Sequence, residues 1–166
     1  MRRVGGWTHY GFLAGAILLA AANAGCAKKP QHQDAQRVAG RADSSAEPGS
    51  PRDFSVNVGD RVHFMTDSAE LNADARVVLN GQAQWLHNYP SYNITVEGHS
   101  DERGTREYNL ALAARRSNAV KTYLASKGIG QQRLRTISFG KERPVALCDA
   151  LVCWSQNRRA VSKVAY

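Results

Sequence analysis

Large apolar residues are almost absent between Ala27 and Asp53 (AKKPQHQDAQRVAGRADSSAEPGSPRD) and become periodic from Phe54 onward. The first stretch has too little apolar surface to offset the entropy of ordering it, which predicts a flexible tether over residues 26–53 and one domain over residues 54–166. Arg61 to Met65 (RVHFM) alternates as a strand does, and Thr66 to Asn72 reads as a loop. Asn72 is placed to cap a helix from Ala73 to Asn88, with Asp74 in its first turn. Ala75, Val78, Leu79, Gln82 and Leu86 recur along it at helical spacing. In Tyr92 to Glu97, Tyr92, Ile94 and Val96 face one way and Asn93, Thr95 and Glu97 the other, the pattern of a half-buried strand. Thr105 caps a second helix that runs to Lys127 and stops at Gly128, with Leu112, Val120, Tyr123 and Leu124 on its buried side. Leu134 to Phe139 and Arg159 to Tyr166 are two further strands. The order β-α-β-α-β-β predicts an α+β fold with helices packed on one face of a mixed sheet.

Ahead of the tether, Met1-Arg2-Arg3, an apolar run from Gly11 to Ala22 and the small residues before Cys26 have the pattern of a secretory signal peptide. The run is about a dozen residues, short of the roughly 20 that a membrane-spanning helix needs. Export with removal of residues 1–25 is therefore expected. The small residues leading into Cys26 resemble the lipobox of bacterial lipoproteins, with Asn23 where the usual pattern has Leu. That resemblance implies lipidation of Cys26, and Ala27 in place of Asp resembles lipoproteins sent to the outer membrane of Gram-negative bacteria. In an oxidising periplasm Cys148 and Cys153, with four residues between them, are expected to form a local disulfide. Zinc is the sharper alternative, but two sulfurs with no His at ligand spacing do not make a metal site.

The 166 residues carry a formal charge of +8, which ordinarily points to nucleic acid or an anionic membrane. Two of those charges leave with the signal peptide, one stays on the tether and five are spread over the domain. No RRM-type aromatic pair, zinc finger or helix-turn-helix is present, and export removes the chain from nucleic acid. No nucleic-acid partner is expected.

The chemistry-bearing residues cluster between the second strand and second helix, in Gly98-His99-Ser100-Asp101-Glu102-Arg103-Gly104. A strand end running into a helix start can present a carboxylate, a guanidinium and free N–H groups within a small area. Leu112, Arg116 and Val120 are four residues apart, so Arg116 projects from the core-facing side while Arg115 is turned to solvent. A buried guanidinium needs a partner, and Asp101 is the nearest candidate in the pattern. The two read either as a structural ion pair or as a clamp that grips a carboxylate with Arg116 and an ammonium with Asp101. His99, Ser100 and Asp101 are the residue types of a hydrolytic triad, but adjacent residues do not converge as nucleophile, base and orienter. Neither G-x-S-x-G nor H-E-x-x-H occurs, so no catalysis and no cofactor are expected.

The run TVEGHSDERGTREYNLALAARRSNAVKTYL, followed by SFGKERP and NRRAV, resembles the OmpA-like peptidoglycan-binding domain family over about Arg61 to Tyr166. The resemblance implies an OmpA-like sandwich that binds the peptide stem of peptidoglycan non-covalently, with diaminopimelate as the main epitope. It implies Asp101 and Arg116 as the principal pair, with Arg103, Leu112 and the FMTD segment (Phe64, Thr66, Asp67) at further pocket positions. Met65 and Thr66 stand where the family often has Asp and Phe. Asn109 also matches a family position, where we expect it to hold the loop-helix junction. On this reading Arg116→Ala abolishes wall binding and leaves the fold intact. The lipoprotein leader further implies members that hold the outer membrane to the wall, notably during division, with the periplasmic β-propeller protein of the Tol system among their partners. A wall-binding lipoprotein of the same family outside the Tol system is the alternative.

Overall fold

Side-chain caps define the two long helices. Asn72 accepts a hydrogen bond from the Ala75 N–H at 2.8 Å and opens one, and Thr105 accepts from the Tyr108 N–H at 3.2 Å and opens the other. Gly128, at φ +88°, closes the second: its N–H donates to Ala125 O and the Ile129 N–H to Leu124 O. The computed structural model describes residues 46–166. The expected signal peptide, Cys26 and the tether as far as residue 45 lie outside the described residues.

In chain order the elements are α1 (Pro51–Asp53), which runs into a π-helical stretch over Phe54–Gly59, then β1 (Arg61–His63), α2 (Ala73–Asn88) and β2 (Asn93–Gly98). There follow α3 (Arg106–Ser126), a 3-10 turn at Gln131–Arg133, β3 (Leu134–Ser138), α4 (Leu151–Asn157) and β4 (Arg159–Ala165). The strands form one sheet in the order β1-β4-β2-β3. β2 and β3 are parallel, while β4 runs antiparallel to both β1 and β2, so the sheet is mixed and the fold is α+β as expected. Val62, Ile94, Val96, Leu134 and Ala160 meet Leu79, Leu86, Val120 and Leu124 in a single core. Gln82 is buried in that core because both ends of its amide are satisfied: Nε2 donates to Gly59 O at 2.7 Å and Oε1 accepts from Ser162 Oγ at 2.8 Å.

Two segments differ from expectation. Residues 46–53, assigned to the tether on composition, are packed on the domain. Asp53 Oδ2 accepts from Trp85 Nε1 and from the Gly49 N–H, and the Tyr92 hydroxyl donates to Gly49 O. Polar anchors hold this stretch, and apolar periodicity does not register polar anchors. The loop between the last two strands contains α4, a seven-residue helix too short to show a period, beside the expected Cys148–Cys153 disulfide.

One close approach positions the site. β2 ends at Gly98, where an added Cβ would stand 1.9 Å from Ala113 O on α3. Only a residue without a side chain lets the strand end and the helix come this near.

Candidate functional site

Asp101 leaves the end of β2 and is buried between two arginines from different parts of the chain. Arg103 Nη2 donates to its Oδ2 at 2.7 Å, and the Arg103 backbone N–H and Nε donate to Oδ1 at 3.3 Å. Arg158, from the residue ahead of β4, donates from Nη1 to Oδ2 at 3.2 Å and from Nε to Phe64 O at 3.1 Å. Burial alone would raise the Asp101 pKa. The hydrogen bonds from Arg103 and Arg158 outweigh it and hold the carboxyl below its ordinary value. Arg103 lies over the Trp154 ring at 4.2 Å, and Trp154 Nε1 donates to Glu102 Oε1. The disulfide-linked α4 thus supports the loop that carries Asp101.

Arg116 is fully buried on α3, and its partners are not the expected ones. Nε donates to Ser68 O at 2.8 Å, Nη1 to His99 O at 2.9 Å and Nη2 to Met65 O at 3.1 Å. The anticipated ion pair with Asp101 is not formed. Arg158 takes that place, and Arg116 instead ties the loop after β1 to the loop after β2. The physical reason is that both loops end in carbonyls needing donors, and a guanidinium offers five N–H groups in a rigid fork. Three are committed here, and the other two donate to no acceptor among the described residues. Burial, then the charge of Arg158, pull the Arg116 pKa down to about 10, so it stays cationic at neutral pH.

These side chains line a cavity of about 290 Å³. Thr66, Asp67, Asp101, Arg103, Leu112 and Arg116, all anticipated from sequence, are brought together in its wall. Phe64 is not among them: it is buried in the core, with the Arg116 guanidinium 5.3 Å from its ring centroid, and so supports that side chain from below. Arg158, Tyr108, Gly104 and Asn109 complete the lining. Tyr108 falls four residues before Leu112, on the same face of α3, a spacing that could have revealed it. Arg158 carried no comparable signal beyond its place in NRRAV. Asn109 Nδ2 donates to Arg103 O at 2.6 Å and Thr105 O at 3.0 Å, holding the junction. Asp67 has φ +54°, the one non-glycine positive value among the described residues, and the Tyr108 hydroxyl donates to its Oδ1.

The cavity therefore opposes two carboxylates, Asp67 and Asp101, to three guanidiniums, an arrangement complementary to a ligand end that bears both ammonium and carboxylate. His99 and Ser100 are both buried. Neither ring nitrogen of His99 has a hydrogen-bond partner among the described residues. Burial, with Arg159, Arg143 and Lys163 near it, pulls the His99 pKa down to about 4, so it is neutral.

The depressed Asp101 pKa sets an acid limit. Its contribution to stability is fully present above the unfolded carboxyl value of about 3.9 and is lost as pH falls through the lower native value. Asp101→Asn is expected to be less stable than the parent at neutral pH, with the gap closing in acid. Urea unfolding at several pH values checks this, and a gap independent of pH would contradict it.

Residues 63–158 match the OmpA family. The chain is 56% identical to the peptidoglycan-associated lipoprotein of Rhizobium meliloti, covering 89% of this chain and 84% of that one. It is 58% identical to the peptidoglycan-associated lipoprotein of Agrobacterium fabrum over the same shares. The crystal structure of the peptidoglycan-associated lipoprotein from Burkholderia pseudomallei superposes with a TM-score of 0.64 at 38% identity, covering 72% of this chain and 97% of that one. The C-terminal domain of Helicobacter pylori MotB superposes with a TM-score of 0.60 at 25% identity, covering 64% of this chain and 84% of that one. The chain belongs to the OmpA family, within its group of peptidoglycan-associated lipoproteins.

Proposed function

We propose that this protein binds the peptide stem of peptidoglycan non-covalently, with the side-chain end of diaminopimelate in the Asp101–Arg116 cavity. The observation that carries the reading is the juxtaposition, in one 290 Å³ cavity, of Asp67 and Asp101 with Arg103, Arg116 and Arg158. Diaminopimelate presents an ammonium and a carboxylate on one carbon. The carboxylate takes the two uncommitted N–H groups of Arg116, and the ammonium takes a carboxylate oxygen of Asp101 or Asp67. Arg103, partly exposed, can turn from Asp101 toward the ligand. Lysine in the same stem position has the ammonium without the carboxylate, leaving the guanidinium facing no anion. No bond is made or broken, and the outcome is anchorage.

The leader and the relatives' name support a wider role. Lipidation of Cys26 would hold the chain in the inner leaflet of the outer membrane, and the domain would grip the wall across the tether. Acyl chains contribute roughly 0.8 kcal/mol per buried methylene, so more than one gives a firm anchor. The Tol system, through its periplasmic β-propeller protein, is the partner this reading implies, with a role in envelope integrity and division. A wall-binding lipoprotein outside that system shares the pocket chemistry and differs in partners.

Sedimentation with purified sacculi tests the pocket. The parent is expected to co-sediment with diaminopimelate-type sacculi and much less with lysine-type sacculi. Asp101→Ala is expected to weaken binding by about 10- to 100-fold, the equivalent of one or two charge-assisted hydrogen bonds. Equal sedimentation with both wall types, or an unchanged Asp101→Ala, would overturn the reading.

A further inference from the structure

Strand alternation sends one set of side chains to the helices and the other to the opposite face of the sheet. On that opposite face the register aligns Arg61 of β1 with Val161 of β4 and Glu97 of β2, and sets Lys163 beside Thr95. Arg159 and His99 extend the same face at the strand ends, and Arg143 reaches over from the loop after β3. Together they line a cavity of about 300 Å³, separate from the one that holds Asp101. Four cations, Arg61, Arg143, Arg159 and Lys163, face a single carboxylate, Glu97.

Two of these side chains are buried beyond what the core requires and are not satisfied. Arg159 is 5% exposed; its Nη1 and Nη2 donate to Asn157 O and Arg143 O, but Nε has no partner among the described residues. His99 is 3% exposed, and neither Nδ1 nor Nε2 has a hydrogen-bond partner among the described residues, the nearest anion being the Glu97 carboxylate at 3.9 Å from Nε2. The His99 ring stacks on Phe139 at 5.5 Å, and Phe139 carries the Arg143 guanidinium at 3.7 Å from its centroid. The His99–Phe139–Arg143 stack fixes the position of one wall. Buried donors without acceptors are costly, and a charged ligand that accepts from them removes the cost. Among the described residues, Arg61 is the one of the four in a salt bridge, with Asp60 at 2.8 Å.

We propose that this cavity is a second binding site, for a phosphate group. A monocarboxylate would answer only part of the excess positive charge. A phosphate offers several acceptor oxygens pointing in different directions, which suits guanidinium forks and an ammonium converging from three chain segments. The neutral His99 ring supplies a further N–H from whichever nitrogen carries the proton. The phosphate could be free or part of a phospholipid headgroup, and the two sources are separable.

The test uses the mature full chain in neutral-detergent micelles and follows the His99 ring signals by NMR. Inorganic phosphate is expected to move them saturably. In the double variant Arg143→Gln, Lys163→Gln, both residues being exposed on the surface, binding should weaken by about tenfold or more because half of the cations are gone. Asp101→Asn, in the other cavity, should leave this response unchanged. Short-chain phosphatidylglycerol, with short-chain diacylglycerol as its counterpart without the phosphate, forms the lipid arm: a response to the former alone assigns the headgroup as a source, and a response to inorganic phosphate without it assigns a small phosphate. No saturable shift with either probe, or equal affinity in the double variant, would overturn the proposal.

Discussion

Arg116→Ala is expected to lower the stability of the domain by about 3–5 kcal/mol, in addition to abolishing wall binding. The pattern of residues left Arg116 as either half of an ion pair or half of a clamp, and the family resemblance cast it as a clamp whose removal spares the fold. Its three hydrogen bonds to Ser68 O, His99 O and Met65 O change that expectation. Truncation leaves three carbonyls without their donor and empties a fully buried volume above Phe64. Arg116→Lys retains a cation but only one donor centre, so it is expected to fold better than the alanine variant and still bind weakly. Thermal unfolding beside sacculus sedimentation checks both parts. A stable Arg116→Ala that has lost binding would restore the clamp as its whole role, and a stable variant that still binds would remove Arg116 from the site.

Gly98→Ala is expected to cost about 3 kcal/mol or more, a large effect for a single methyl group. The new Cβ would meet Ala113 O at 1.9 Å and Ala113 C at 2.7 Å, and backbone atoms cannot rotate out of the way as a flexible side chain does. β2 is held on both sides, by β3 and β4, so the relief has to come from α3 moving outward. That helix carries Tyr108, Asn109, Leu112 and Arg116, so the cavity wall moves with it. Wall binding should therefore fall even at temperatures where the variant is folded. Urea unfolding and sedimentation, each compared with the parent, read the two effects. Near-parental stability would show that the helix accommodates the methyl group without strain.

The elements with strong periods were legible before the fold. Leu79, Leu86, Leu112, Val120 and Leu124 recur at helical intervals, and Tyr92, Ile94 and Val96 alternate, because each long element buries one face. Asn72, Thr105 and Gly128 were legible as boundaries because capping is local chemistry. The loop residues Asp101 and Arg103 could be picked out as a charged junction between strand and helix, and family resemblance added Thr66, Asp67, Leu112 and Arg116 to one pocket. α4 was hidden by its brevity, and the ordered start near Ala46 by its reliance on the polar contacts of Asp53 and Tyr92.

By itself the sequence determined which residues turn inward, where the long helices begin and end, and that a buried arginine had to find partners. Those properties depend on neighbours within a few positions. Only the tertiary structure decided who the partners are. Arg158 reaches Asp101 across 57 positions in the chain, and Arg116 reaches Met65 O across 51. Phe64 went to the core, and a second basic cavity formed on the far face of the sheet. Strand order sets these pairings, and strand order follows from how the whole apolar surface is buried at once.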